Sequence, residues 1–192
     1  ISFPPDICVQ EGIYSFNLML PSNTQAYQVV YQRCCRNGTI QNLANPGDQG
    51  LTIVAEVPSS DVAECNSMPS YNNFPPPVLC AQQNLQFDHS ATDLDGDSLS
   101  YSICAPFIGA TAAMPAPNPA SNPPYAEVVW APGFSTTSPL DANPGLTINP
   151  VTGFLTGTPT QLGQYVVGIC VEEWRNGQLL SVNTRDFQFN VA

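Results

Sequence analysis

The sequence predicts an all-β protein built as two β-sandwich units in tandem, and three observations carry that prediction. No stretch repeats apolar residues at helical spacing over three turns without a Pro or Gly intervening. Several segments are rich in β-branched and aromatic residues, as pleated, half-buried strands require. The 20 Pro and 13 Gly, with the triple Pro75-Pro76-Pro77, punctuate these segments at short intervals.

In chain order, the first unit (1–57) is read from strands at Ile13–Leu20, Ala26–Arg36 and Leu51–Val57, where AYQVVYQ and LTIVAEV carry the strand composition. Residues 58–78 turn to Ser, Asn and Pro and read as a stiff Pro-rich connector. The second unit (79–192) supplies Leu85–Asp88, Ser98–Cys104, Ala126–Trp130, Leu146–Ile148, Phe154–Thr156, Gly163–Trp174 and Leu179–Val191. Seven short strands separated by turns are the pattern of an immunoglobulin-like sandwich. Asn176-Gly177, between the last two, predicts a two-residue type I′ hairpin turn.

Composition narrows the function. The net charge is −11 and all four basic residues are arginines, so nucleic acid, which demands a basic face, is not an expected partner. Divalent cations are the natural counter-charge. No apolar run is long enough to cross a membrane, and no signal peptide is visible. Starting at Ile1 without an initiator Met, the chain reads as a processed product or a piece of something longer.

Seven cysteines point to an oxidising compartment, and none forms a C-x-x-C pair. Cys104 and Cys170 both end apolar strands, SLSYSIC and YVVGIC, expected to face each other in a sandwich, and form the best disulfide candidate. Cys34 and Cys35 would point to opposite faces of a strand, so different partners are expected, or burial of one of them. The odd total leaves at least one thiol free or bonded to another chain.

The most informative motif is Asp93-Leu94-Asp95-Gly96-Asp97, which crowds three carboxylates into five residues just before a strand. Ca²⁺ takes six to eight oxygens at about 2.3–2.6 Å and converts that repulsion into coordination. The loop is not an EF-hand, since counting from Asp93 puts Ser98 and Cys104 where that loop wants Gly and Glu. A solvated acidic turn without metal is the plain alternative. Further ligands must come from other segments, with Asp88 and Asp186 as candidates and Glu172 weaker; a plain surface carboxylate or a partner for Arg175 or Arg185 is the competing use of each.

The same run contains Gly96-Asp97-Ser98-Leu99, the signature of a family of serine esterases. That chemistry needs a base oriented by an acid, usually a downstream His. The one histidine, His89, lies upstream and no Asp-x-x-His exists, so Ser98 reads as a strand residue and no enzyme is expected.

The string GLTINPVTGFLTGTPTQLGQYVVGICV resembles the C-terminal half of bacterial putative Ig and dystroglycan-type cadherin-like domains. Residues 79–191 follow that pattern from the Asp-x-Asp-Gly-Asp-x-Leu-x-Tyr strand onward. A longer resemblance, through YQRCCRNGTIQNL, FDHSATDLDGDSLSYSICAP, VVW and VGICVEEWRNGQLLSVNTRDFQF, is to a module of large secreted proteins of gliding bacteria exported by the type 9 route. It implies a surface-exposed or secreted, non-catalytic module in a long multidomain chain such as an adhesin; taken with the acidic loop, the expectation is a calcium-binding module of an adhesin or fibre, with neighbouring domains or copies of the same chain as partners.

Two further roles fit the same residues. A self-assembling filament subunit would suit the many strands, the few charges and the apolar Ile1-Ser2-Phe3-Pro4-Pro5 start. Binding of surface glycans would use Tyr125, Trp130, Phe134 and Trp174 beside the Pro/Ala/Asn loop between Ile108 and Tyr125, although core packing is the commoner use of such aromatics.

Overall fold

The computed structural model describes residues 12–192, and the chain folds as an all-β protein. Cys8 and the apolar start at residues 1–5 lie outside the described residues. Eleven strands follow in order: β1 (Tyr27–Arg33), β2 (Leu51–Val57), β3 (Ser70–Tyr71), β4 (Val78–Leu79), β5 (Leu85–Asp88), β6 (Ala91–Thr92), β7 (Ser98–Cys104), β8 (Thr147–Ile148), β9 (Phe154–Gly157), β10 (Gly163–Arg175) and β11 (Gln178–Val191). A single 3-10 turn at Pro46–Asp48 is the only helical element among the described residues. No helix there is long and apolar enough to cross a membrane.

A four-stranded sheet, β4-β11-β10-β7, faces a three-stranded sheet, β5-β9-β8. Between them lies a core of Leu79, Leu85, Leu155, Tyr165, Val167, Ile169 and Phe189. The period of two places odd-numbered residues of β10 toward this core. Yet Val166 is buried as well, because it packs on the other side against Ile40, Leu43 and Val128. That double burial is why YVVGICV reads as an unbroken apolar run instead of an alternating one.

The layer covering the second face of β10 comes from the first part of the chain and from the loop at 105–131. Asn42 donates from Nδ2 to the carbonyls of Pro139 and Val166 and accepts the Val166 N–H. Arg36 reaches Asp186, 150 positions away, with both oxygens of the carboxylate gripped at 2.9 and 2.5 Å. Residues 36–52 therefore share buried contacts with 79–192. The stretch 58–78, expected as a connector, carries β3 and the start of β4 and pairs Tyr71 with Ala91.

Most expected strands form within a residue or two of their predicted ends. Asn176 and Gly177 both take positive φ, 52° and 79°, as a type I′ turn requires, and Arg175 pairs with Gln178 across it. Two expected strands do not form. Ala126–Trp130 makes only single bridges, Glu127 to Phe107 and Trp130 to Leu43, because it lies over the sheet face as a covering loop. Ile13–Leu20 has strand composition but no strand beside it among the described residues.

Cys104 and Cys170 form a disulfide with Cα atoms 5.7 Å apart. The two strands are antiparallel neighbours in one sheet, with Cys170 opposite Ser102, so the bond ties adjacent strands and does not cross the sandwich. Cys34 and Cys35 are bonded to each other, not to separate partners, since β1 ends at Arg33 and the alternation of a strand no longer separates them. Cys65 and Cys80 are exposed and form no disulfide among the described residues.

Candidate metal centre

The acidic loop joins β6 to β7. Gly96 turns the chain with φ +82°, a conformation closed to most side chains. Asp93 closes the loop on itself, its Oδ1 accepting the N–H groups of Asp95 at 2.9 Å and Asp97 at 3.0 Å. One carboxylate oxygen from each of Asp93, Asp95 and Asp97 lies within 4.8 Å of the other two. Oxygens bound to one Ca²⁺ at about 2.3–2.6 Å can be no further apart than about 5 Å, so the spacing suits that ion.

A fourth carboxylate, which the sequence did not single out, lies next to Asp97 and Asp93 but outside the three-aspartate spacing. Glu173 is fully buried, at 0% exposure. Its Oε2 accepts the Ser181 hydroxyl at 2.6 Å while Oε1 is buried without a hydrogen-bond partner among the described residues. Asp93 Oδ2 is likewise buried and unpartnered. Burial pushes the Glu173 carboxyl above its ordinary range, Ser181 and Asn66 pull it back, and Asp97 and Asp93 push it up again. Two carboxylates in such proximity need a proton or a cation between them.

The signal for Glu173 was in the period of β10. Tyr165, Val167, Ile169 and Val171 are the buried odd positions, and the next is Glu173, not Glu172. Glu172 lies on the opposite side, where its Oε2 accepts the Trp174 indole N–H at 3.2 Å.

Positive charge at the site is confined to Arg175. Its Nε donates to Asp97 Oδ1 at 2.7 Å and its Nη2 to Asp97 Oδ2 at 2.6 Å, with a longer contact to Asp95 Oδ2 at 3.4 Å. These hydrogen bonds hold the Asp97 carboxyl below its usual range despite its burial. The same guanidinium donates to the Cys65 carbonyl and to Asn66 Oδ1, and Asp95 accepts the Ser67 N–H at 2.6 Å, so residues 65–67 strap the loop. One guanidinium faces Asp97, Asp95 and Glu173, and Asp93 adds a further negative charge beside Glu173. At an effective dielectric of 20, like charges 4 Å apart repel by about 4 kcal/mol, so a single cation does not neutralise the cluster.

The other expected ligands are placed elsewhere. Asp186 sits opposite Gly168, and Gly168 opposite Cys104, whereas the acidic loop meets the sheet at Ser98. Six residues of strand separate these levels, about 20 Å at ~3.3 Å per residue. Asp186 is committed to Arg36, with both side chains nearly buried. Asp88 ends β5 in the other sheet, where its Oδ1 accepts the Ser90 N–H at 3.0 Å. Bonds from Ser90 hold its carboxyl low, and it contributes no oxygen to the cluster.

The remaining chemistry-bearing residues are packed. His89 is completely buried among Tyr71, Phe87 and Phe187, and burial lowers its pKa to about 4. It therefore presents no base to the exposed Ser98. Phe134 packs on Tyr165, Tyr125 on Phe107, and Trp130 against the Val166 cluster, and all three rings are half-buried.

No family model matches the sequence, and no curated protein matches it.

Proposed function

We propose that this chain is a non-enzymatic, calcium-stiffened β-sandwich module of an extracellular surface protein, serving as architecture in an adhesin or fibre. The observation that carries this reading is the convergence of Asp93, Asp95 and Asp97 beside two buried, unpartnered oxygens, Asp93 Oδ2 and Glu173 Oε1. A hard cation held by the three aspartates offsets the charge that Arg175 leaves over, Glu173 included. Such an ion fastens the β6–β7 loop to the end of β10 and thereby to the long β10–β11 hairpin, so its effect on the module is rigidity. Disulfides Cys104–Cys170 and Cys34–Cys35 fit an oxidising exterior.

Thermal melts of the metal-stripped chain, with and without millimolar calcium, test the proposal. Calcium raises Tm, magnesium does so less, and Asp93→Asn abolishes the response, since only a ligand that prefers the folded state stabilises it. An unchanged melt in calcium and in excess chelator overturns the reading.

A further inference from the structure

Of the four arginines, Arg36 and Arg175 are held by carboxylates and Arg33 is exposed. Arg185 is different: it is half-buried and forms no ion pair among the described residues, in a chain of net charge −11. It pairs with Ile169 across the β10–β11 hairpin and shares the inward face of β11 with Phe187 and Phe189. Burial lowers its pKa, as follows for a cation set beside an apolar core without a counter-charge.

What holds this side chain leaves most of its donors unused. The guanidinium carbon lies over the Tyr71 ring at 4.5 Å and over the Phe74 ring at 5.7 Å, contacts that engage its charge and consume no N–H. Of its five N–H groups, one on Nη1 donates to the Asn73 carbonyl at 2.9 Å. The nitrogens Nε and Nη2 bond nothing among the described residues and are open to solvent.

The Phe74 ring is displayed on an anchored stretch of chain. Upstream, the Asn73 carbonyl holds Arg185 and its Nδ2 donates to the Asp88 carbonyl at 3.1 Å. Downstream, the Pro77 carbonyl accepts the Asn190 N–H at 3.2 Å and its Nδ2 at 2.6 Å. Between these anchors Phe74 precedes Pro75-Pro76-Pro77, which keeps the backbone extended and stiff. The ring is nevertheless 73% exposed.

A ligand that uses both groups carries a carboxylate beside an apolar face. The guanidinium edge suits a carboxylate through parallel hydrogen bonds, and the exposed ring suits the C–H face of a pyranose. A densely charged anion is repelled, because the exposed Asp88 adjoins Asn73 and the chain as a whole is acidic. One carboxylate per sugar ring meets these conditions. We propose that Arg185 and Phe74 bind the uronic acid residues of an acidic polysaccharide, the carboxylate on the guanidinium and the sugar ring on Phe74. The acidic loop meets the sheet elsewhere, at Trp174, and plays no part in this contact.

Biolayer interferometry of the immobilised chain in excess chelator tests it, since no calcium then bridges protein and sugar. The probes are oligosaccharides of galacturonate, mannuronate and glucuronate, their carboxyl-reduced neutral forms, and poly-glutamate. At least one oligouronate binds, while its neutral form and poly-glutamate do not. Arg185→Gln weakens that binding by about tenfold to a hundredfold, the share of a charge-assisted hydrogen bond. Phe74→Ala weakens it by about twofold to tenfold. Because Phe74 is exposed, Phe74→Ala keeps the parent's melt and decides the matter should Arg185→Gln lower it. Silence toward all three oligouronates overturns the proposal. Equal binding of a neutral form or of poly-glutamate also overturns it, as does binding that neither variant weakens.

Discussion

Arg175 holds Asp97 through two parallel hydrogen bonds, 2.7 Å from Nε and 2.6 Å from Nη2, across the junction between the end of β10 and the start of β7. The fork geometry suits a carboxylate, and Asp97 is the more buried of the two partners. This pair sets the baseline on which a divalent ion acts. It neutralises Asp97, reaches Asp95 at 3.4 Å, and leaves Asp93 and Glu173 without an ion pair among the described residues.

Replacing the guanidinium separates its role from that of the ion. Arg175→Met leaves Asp97 unpaired, so the metal-free chain melts at a lower temperature than the parent. With calcium present, the ion takes over the neutralisation and most of the loss is recovered. The calcium-induced rise in Tm is therefore larger in the variant than in the parent, which paired thermal melts in calcium and chelator measure directly.

Glu173 makes the metal-free chain sensitive to rising pH. Its folded pKa lies above the ordinary 4.5, so the folded state binds more protons than the unfolded chain in the window above that value. Stability falls as pH rises through the window, because the slope has the sign of unfolded minus folded protons. Glu173→Gln removes this term. Denaturant titrations in chelator from pH 4 to 8 give a difference, variant minus parent, that grows with pH; calcium erases it by replacing the proton.

The fold was legible where one residue type repeated at one period. Ser98–Cys104 was evident from its alternation of Ser with Leu, Tyr and Ile, Leu51–Val57 from its β-branched content, and the β10–β11 hairpin from an apolar run followed by the Asn176-Gly177 turn. Partnership was not legible. Ile13–Leu20 has the composition of a strand, but composition does not say which backbone lies beside it. Asp186 illustrates the same limit at the site: an acid on the last strand is a ligand or an ion-pair partner according to which level of the sheet it occupies. Glu173 was hidden by a neighbouring Glu172 and would have emerged from counting the inward positions of β10 to the strand's end.

His89 gives the opposite pH limb. Its folded pKa of about 4 lies below the ordinary 6.5, with burial as the main cause and the Arg185 charge next. The unfolded chain takes up a proton below 6.5 that the folded chain refuses until about 4, so stability is lost as pH falls across that interval, by at most about 3 kcal/mol. Both ring nitrogens are buried without partners among the described residues, and the ring lies against Phe87, Phe187 and Tyr71. His89→Phe fits this aromatic setting. It flattens the acid limb and stabilises the chain at pH 5 more than at pH 8, as denaturation midpoints at the two pH values report.

Asp186 separates structural acids from the proposed ligands. Its partner Arg36 also donates from Nε to the Gly50 carbonyl at 3.0 Å and from Nη2 to the Phe107 carbonyl at 3.2 Å, so one guanidinium joins three segments of chain. Asp186→Ala leaves that charge buried and uncompensated, a defect that costs about 3–5 kcal/mol in comparable sites. The calcium-induced stabilisation stays at the parent value, because the acidic loop lies at the far end of the hairpin. Asp93→Asn behaves the other way round: the metal-free stability changes little and the calcium response disappears. Measuring both quantities for both variants gives two orthogonal losses. If Asp186→Ala also weakened the calcium response, the separation of the two carboxylates along β10 and β11 would not be the separation of their functions.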